Sequence, residues 1–398
     1  MIKELRDWFN GEFSEEKYQQ FLQQLSDTYQ CTPLFRVAES PLFIPDLLKS
    51  RLLEACSEIT DVILRPDIKE ITQGALYDPS LIVPNEDDHT TFLQMDFGIG
   101  LDENGDPFPH LIEVQGFPSV YFFQYAVSGL FKSFYGLPEH LTPFIGGINR
   151  DDYVSMMRDI IVGDTSAEQV ILLEIEPEKQ TTYIDMHVTA VVLGIAVVCI
   201  TKVLKEGNKL FYENNTGELI EIRKIYNRVI FDELDQRPDL NIAFRFTDDL
   251  DVRWVGHPNW FFRISKYLMP FLKSKYVPET RFLSDITHYP SDLENYVLKP
   301  LFSFAGSGVI IDVTKDVLDS IADRKNYILQ RKVTYEPILR SPDDQVKAEI
   351  RMLMLWPDNA PKPFVVTNLV RLSKGKMIGV KYNKDKTWVG GSVGFFES

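Results

Sequence analysis

A lysine and a glycine-rich turn in the segment 296–310 are the first residues of this 398-residue chain that could bind a phosphorylated ligand. Lys299 lies near the end of an apolar, strand-like run, and small residues then lead into a second apolar run: Gly306, Ser307 and Gly308. Glycines let backbone N–H groups approach an anion closely, and a neighbouring lysine can neutralise its charge. The spacing is not that of a P-loop, and a plain hairpin with a strained turn is the alternative interpretation.

Two carboxylates and an amide on neighbouring predicted strands form a second candidate group. Asp96 lies in the strand-like run 92–98, and Glu113 and Gln115 lie in the run 110–115, beyond an Asn-Gly turn that is a strong hairpin signal. Since strand side chains repeat every two residues, Glu113 and Gln115 share a face. Three such oxygen ligands would suit Mg²⁺ bridging phosphates, and solvated surface acids are the alternative interpretation.

The segment 327–333 is a short apolar strand that becomes polar at Gln330. A linker strand between two lobes can present its backbone to the edge of an adenine ring, and the Gln330 amide would supplement it. Glu336 follows in the same linker, where a carboxylate could accept hydrogen bonds from a ribose. The alternative is a strand whose exposed end is simply polar.

Two arginines interrupt apolar strand-like runs near the C-terminal end of the sequence. Arg351 lies in the run 348–354 and Arg371 in the run 367–373. A guanidinium in such a setting requires an anion. A phosphoryl group in transfer would be one, which makes both arginines candidate catalytic residues, and a structural carboxylate such as Glu349 would be another.

The surrounding segments predict a mixture of helices and strands. Helical periodicity predominates over residues 2–75, and the segment 168–232 alternates strands with the amphipathic run 182–193. Strand, helix and strand joined by short links predict a small βαβ-based unit. The apolar spacing over 260–273 predicts a further helix.

The acidic composition argues against some classes of binding partner. The net charge is −16 and the sequence pI is about 4.9, which argues against nucleic acid and anionic membranes as partners. The longest apolar run, 195–200, is far too short to span a bilayer, and the charged N-terminal segment does not have the form of a signal peptide. The three cysteines and six histidines form no metal-binding spacing. A cytoplasmic location is therefore expected.

Taken together, these residues resemble the ATP-grasp superfamily, and specifically its circularly permuted branch, which includes glutathionylspermidine synthase. The family's metal hairpin carries an aspartate on one strand and Glu-x-Asn on the next, and the acidic hairpin here precedes the lysine, as a permutation would place it. The matching segments are Asp96, Glu113-Val114-Gln115, Val297-Leu298-Lys299-Pro300 with Gly306-Ser307, Ile328-Leu329-Gln330 and Val370-Arg371-Leu372-Ser373. Two positions differ from the family pattern. Gln94 stands where the family has an arginine thought to assist phosphoryl transfer, and Gln115 stands where the family has the asparagine metal ligand.

The resemblance implies an α+β protein with a circularly permuted ATP-grasp fold, a helical N-terminal segment and a pre-ATP-grasp α/β domain. It implies three units: 1–160 with the metal-binding half, 161–255 as the α/β domain, and 256–398 as the nucleotide-binding lobe with the C-terminal strands. It implies an ATP-dependent carboxylate–amine ligase that uses ATP and Mg²⁺ and forms an acyl-phosphate. An ATP- and Mg²⁺-binding module without turnover, acting as a sensor or assembly partner, is the alternative that Gln94 leaves open.

Overall fold

The fold mixes α-helices with β-sheets whose strands come from distant parts of the chain. The computed structural model describes residues 1–303, 307–375, 378, 383 and 385–397. The α-helices in these ranges are α1 (Lys3–Glu12), α2 (Glu15–Tyr29), α3 (Asp46–Ile63), α4 (Ile68–Ile71), α5 (Tyr121–Tyr135), α6 (Arg150–Ile161), α7 (Tyr183–Leu193), α8 (Phe231–Asp235), α9 (Pro258–Arg263) and α10 (Lys315–Ser320). The β-strands are β1 (Leu42–Ile44), β2 (Phe92–Leu101), β3 (Pro107–Gln115), β4 (Leu141–Thr142), β5 (Val170–Glu174), β6 (Ala196–Cys199), β7 (Leu204–Glu206), β8 (Lys209–Glu213), β9 (Leu219–Ile222), β10 (Lys224–Asn227), β11 (Arg253–Val255), β12 (Thr280–Phe282), β13 (Tyr296–Pro300), β14 (Tyr327–Arg331), β15 (Pro337–Arg340), β16 (Gln345–Leu355), β17 (Phe364–Ser373), β18 (Gly390–Ser392) and β19 (Gly394–Glu397).

The largest sheet has the antiparallel order β18-β17-β16-β2-β3, with β15 paired to β16. The predicted acidic hairpin is confirmed as β2 and β3, and it pairs directly with strands from the other end of the chain. Residues 92–100 of β2 are all buried, because both faces of this central strand are covered. A carboxylate on that strand, Asp96, must therefore find its partners inside the protein.

Helices cover one face of the largest sheet. The amphipathic helices α2 and α3 bury apolar side chains at helical spacing, including Phe21, Leu25, Leu52 and Ile59, in one core with the sheet. The helical prediction for residues 2–75 is largely confirmed. It missed β1, a buried strand of three residues that pairs in parallel with β19.

A smaller antiparallel sheet, in the order β12-β14-β13, carries the predicted lysine strand. Leu298 and Leu329 point into their own core with residues such as Leu283 and Leu318. Because strand side chains alternate, Lys299 and Gln330 both lie on the opposite face. The second apolar run of the predicted hairpin forms a single bridge, from Leu298 to Ile310.

The predicted α/β unit is a parallel sheet in the order β11-β10-β5-β6, with α7 connecting β5 to β6. The chain adds β6 on one side of β5 and later returns to place β10 on the other side. The strand order therefore reverses between β5 and β10. An antiparallel sheet, β7-β8-β9, is inserted before β10.

The predicted helix over 260–273 is only partly correct. The chain forms α9 and then a separate turn of 3-10 helix, Lys266–Phe271. The Ser265 hydroxyl accepts a hydrogen bond from the Tyr267 N–H, which starts a new helical segment, and Pro270 has no N–H to continue an α-helix. No helix within the described ranges is long and apolar enough to cross a membrane.

Candidate functional site

The predicted charged residues meet on one face of the largest sheet. Its strand register places Asp96 of β2 opposite Glu113 of β3 and opposite Arg351 of β16, and places Glu349 opposite Arg371 of β17. Side chains directly opposite one another on paired strands are within contact distance. We call these five residues the charged cluster.

Asp96 is the centre of the charged cluster. Arg351 grips its carboxylate with two N–H groups, Nε to Oδ1 at 2.5 Å and Nη2 to Oδ2 at 2.7 Å, and Arg371 Nη2 donates to Oδ2 at 2.7 Å. Burial disfavours the ionised carboxyl, but the two guanidinium charges outweigh burial and hold the pKa of Asp96 below its usual range. Asp96 is therefore a buried, ionised counter-ion shared by two arginines.

The second buried carboxylate, Glu349, is also paired. Arg371 Nη2 donates to Glu349 Oε1, and the Tyr335 hydroxyl donates to Glu349 Oε2 at 2.7 Å. Burial raises the pKa of Glu349. Tyr335 reaches this position because Gly98 has no side chain, since a Cβ at Gly98 would lie 2.7 Å from the Tyr335 ring. Tyr335 was not among the site residues predicted from the sequence.

Lys299 connects the small sheet to the charged cluster. Its Nζ donates to the Ile112 carbonyl oxygen of β3 at 3.0 Å. Burial lowers the pKa of Lys299 to about 8, against the opposing effect of the Glu113, Glu349 and Asp96 carboxylates. The lysine and the acidic hairpin, which are far apart in sequence, thus face each other across one interface.

The two glutamines of the hairpin hold neighbouring polar groups. Gln94 Oε1 accepts a hydrogen bond from Arg351 Nη1 at 3.0 Å, and its Nε2 donates to the Ser119 carbonyl at 3.0 Å. Gln115 Nε2 donates to Glu113 Oε1 at 2.5 Å. Arg351 thus extends from its own strand to the position that Gln94 occupies.

The predicted nucleotide-binding residues lie at different depths. Gln330 is buried, and its Nε2 donates to Thr280 Oγ1 at 3.2 Å. Glu336 lines a cavity of about 480 Å³ together with residues 331–334 of the linker and His110. Ser307 and Gly308 are exposed, and Gly308 has a φ of +71°, which favours glycine. Gly306 lies outside the described residues.

The three predicted metal ligands do not fit a divalent cation as they are arranged. Both Asp96 oxygens already accept guanidinium N–H groups, and Gln115 presents its amide nitrogen to Glu113. A dication on Asp96 would lie about 4.5 Å from each guanidinium, a repulsion of about 7 kcal/mol per arginine at an effective dielectric constant of about 20. Within the described part of the chain, no group of three or more His, Cys, Asp or Glu side chains is placed to hold a metal.

A second polar group lies where β5 and β10 end, at the point of strand-order reversal. Glu174, Asn227 and Arg228 are all buried there, and Arg228 Nη1 donates to Asp185 Oδ2 at 2.7 Å. Burial raises the pKa of Glu174 to about 8. Asn227 Nδ2 and Arg228 Nε have no hydrogen-bond partner among the described residues. Ligands of open α/β sheets bind at such points.

Comparison with solved structures relates the fold of this chain to that of known proteins. No family model matches this chain, and no curated protein matches it. The structure is similar to that of a glutathione synthetase-like effector from Globodera pallida in its apo form, with a TM-score of 0.58 and 12% sequence identity. The match covers 96% of this chain and 97% of that one. The two proteins share a fold.

A second solved structure is too dissimilar to support a conclusion about this chain. It is a protein from Methylobacillus flagellatus KT that is provisionally named a gamma-glutamylcysteine synthetase, with 14% identity, 86% of each chain covered and a TM-score of only 0.37. The likeness to the effector confirms the α+β architecture expected from the sequence and relates it to a glutathione synthetase-like fold. The circular permutation stays a prediction.

The structure brings most of the predicted site residues together and separates some. Lys299 and the acidic hairpin are in contact, and the arginines lie against Asp96. Glu336 lies on the cavity instead, and Ser307 is exposed. The group at the ends of β5 and β10 was missed, although charged residues directly after apolar strands were a readable signal.

Proposed function

We propose that this protein is an ATP-dependent ligase that joins a carboxylate to an amine through an acyl-phosphate. The observation that carries the proposal is the meeting of Lys299 from the small sheet with the charged cluster of the largest sheet. Two sheets that bring a lysine and two arginines to one interface offer a site for a triphosphate. The fold shared with a glutathione synthetase-like protein supports the same class of reaction.

In the proposed reaction, an oxygen of the substrate carboxylate attacks the γ-phosphorus of ATP and ADP leaves. The amine then attacks the carbonyl carbon of the acyl-phosphate, phosphate leaves, and the amine loses a proton to give the amide. The phosphoryl transfer requires charge neutralisation and positioning more than covalent help. Lys299 and the backbone at Ser307–Gly308 would hold the phosphates, and Arg351 and Arg371 would stabilise the group in transfer.

The remaining predicted residues would bind the nucleoside. Glu336 lines the cavity beside the linker, where it would accept hydrogen bonds from the ribose, and Gln330 would support the adenine-facing strand from inside. The permuted ATP-grasp arrangement is part of this proposal, since the acidic hairpin precedes Lys299 in the chain. Mg²⁺ and a cytoplasmic location stay predictions from the sequence, and no step here is assigned to a metal.

The polar group at the strand-order reversal is the proposed site for the carboxylate or amine substrate. Glu174 is buried and its raised pKa favours a neutral carboxyl, which can both donate and accept a hydrogen bond. The unpartnered Asn227 Nδ2 and Arg228 Nε are further buried donors. Buried donors without partners are the groups that a bound substrate would satisfy.

The proposal is tested by nucleotide binding to the wild-type protein and to Lys299→Ala. In Mg²⁺ buffer, ATP at 100 times its Kd should increase the free energy of unfolding of the wild type by about 2.7 kcal/mol. The unfolding temperature should rise accordingly. Loss of a charge-assisted hydrogen bond should weaken ATP binding by Lys299→Ala about 10- to 100-fold. Lys325→Ala removes an exposed lysine and serves as the matched control. If ATP stabilises none of the three proteins, the proposal fails.

An ATP-binding module without turnover is the second candidate function. It is favoured by the pairing of Arg371 Nη2 with both Asp96 and Glu349, which offsets part of the positive charge that the reaction would need. Phosphate release, measured with a panel of carboxylic acids and amines, separates the two candidates. Substrate-stimulated release supports the ligase, and tight ATP binding without release in any mixture supports the module.

A further inference from the structure

Most of the acceptor positions of Asp96 are taken by arginine contacts. A carboxylate has about four acceptor positions, and three N–H groups from two guanidinium groups already point at those of Asp96. Asp96 is also fully buried, so no water competes for these contacts. A metal ion at this carboxylate would have to share its two oxygens with two guanidinium groups, whose positive charges would repel it.

The same contacts leave Arg371 partly free. Its Nη2 is held by Asp96 and by Glu349, whereas its Nε has no hydrogen-bond partner in the described part of the chain. The side chain is 35% exposed, compared with 10% for Arg351. Arg371 is therefore anchored at one end of a planar fork, and its Nε is a buried donor that an anion bound at the interface would satisfy. Guanidinium forks match the geometry of phosphate oxygens.

The charge balance of the interface also suits an anion. Among the described residues around the charged cluster, four cationic side chains face three carboxylates: Lys266, Lys299, Arg351 and Arg371 against Asp96, Glu113 and Glu349. Lys266 is held in place by the Ser303 carbonyl oxygen, to which its Nζ donates at 2.5 Å. The phosphates would thus meet fixed protein cations directly.

We infer that Asp96 is a positioning residue, which aligns Arg351 and Arg371 for the phosphates of the nucleotide, and that it does not ligate a divalent cation. This inference rests on the proposed function, because it assumes that the nucleotide phosphates occupy this interface. It departs from the sequence prediction, in which Asp96 bound Mg²⁺. Glu349 assists by holding the outer arginine, and it is itself held by Tyr335.

The test measures binding of inorganic tripolyphosphate and of ATP by calorimetry, in EDTA and in Mg²⁺, for wild type, Asp96→Asn and Asp102→Asn. Asp102 is the matched control, because it lies at the tip of the same hairpin and pairs with an arginine, Arg51, at 2.6 Å. A positioning role predicts that Asp96→Asn weakens tripolyphosphate binding in EDTA at least tenfold, because the arginines lose their alignment. The ratio of Kd in EDTA to Kd in Mg²⁺ should stay within threefold of the wild-type ratio, and Asp102→Asn should change neither quantity by more than twofold.

A metal-ligand role for Asp96 predicts the opposite pattern. Removing its charge would then tighten or leave unchanged the binding in EDTA, and the Mg²⁺ effect would fall at least tenfold in Asp96→Asn alone. That result would overturn the inference but not the proposed function. Binding of ATP by wild type in Mg²⁺ but not in EDTA would have the same two consequences. If wild type binds ATP under neither condition, both the inference and the proposed function fail.

A second variant covers the case in which Asp96→Asn does not fold. Arg371→Gln removes one positive charge and one of the two N–H contacts to Asp96 Oδ2, at a partly exposed position, while Arg351 keeps its own two contacts. If Asp96 is a metal ligand, this variant should bind Mn²⁺, measured by its electron paramagnetic resonance signal, at least tenfold more tightly than wild type, which would overturn the inference. The positioning role predicts Mn²⁺ binding within threefold of wild type, together with at least tenfold weaker tripolyphosphate binding in EDTA.

Discussion

Replacement of Lys299 by methionine should change how the stability of the protein depends on pH. Burial lowers the pKa of Lys299 from 10.5 to about 8, and its side chain is only 8% exposed. The unfolded chain therefore keeps this proton up to about pH 10.5, whereas the folded protein loses it above about pH 8. Between these values the unfolded state binds more protons, so the free energy of unfolding rises with pH.

The magnitude follows from the same two values. At about 1.4 kcal/mol for each pKa unit, the buried ammonium destabilises the folded protein by about 3 kcal/mol at pH 7, where it is charged in both states. About 2 kcal/mol of this should be recovered by pH 9.5. Lys299→Met has no titrating group at this position, so it should lack that gain.

The assay is urea unfolding of wild type and Lys299→Met from pH 7 to pH 9.5. Other titrating groups contribute to both proteins, so the difference between the two free energies isolates Lys299. Wild type should gain about 2 kcal/mol relative to the variant over this range, and Lys325→Met controls for the loss of an exposed lysine. A difference that stays constant, or that falls as pH rises, would refute the claim that this ammonium is desolvated at the sheet interface.

Three further outcomes are expected. ATP binding at pH 8 should be accompanied by uptake of about half a proton, because the phosphate charge raises the pKa of Lys299 again. Calorimetry in buffers of different ionisation enthalpy measures this uptake, and binding without uptake would contradict the prediction. Gly98→Ala should lower the free energy of unfolding by about 1–3 kcal/mol by displacing Tyr335, whereas Gly11→Ala, in open space, should be neutral or stabilising in the same urea titration. Asp185→Asn should cost about 3–5 kcal/mol, because its carboxylate holds both Arg228 and the first N–H groups of α5; a loss below 1 kcal/mol would contradict that role.

Local patterns in the sequence were sufficient to predict individual elements. The hairpin of β2 and β3 was predicted because its Asn-Gly turn joins two apolar runs, and α7 because its apolar residues recur at helical spacing between two strands. The helix over 260–273 was wrong in part because a serine that caps a new segment looks, in a hydrophobicity pattern, like any polar residue.

The partners within the site could not be predicted from spacing alone. Arg351 was expected to pair with an anion. That this anion is Asp96 depends on the register between β2 and β16, and no local sequence signal determines this register. Tyr335 and Gly98 form a complementary pair that becomes visible only when their strands are placed together. Glu174 and Arg228 matter because the strand order reverses between them, and strand order is a property of the whole sheet.

The central pairing of β16 with β2 joins residues 255 positions apart, as in the contact of Arg351 with Asp96. During synthesis on the ribosome, at about 5–20 residues per second, β2 would emerge well before its partner exists. Its buried, apolar edge would have to be shielded over that interval, by a chaperone or by temporary contacts within the nascent chain. The interface that joins Lys299 to the charged cluster can form only after most of the chain has left the ribosome. A product truncated before β16 would therefore lack the contacts between Asp96 and the two arginines.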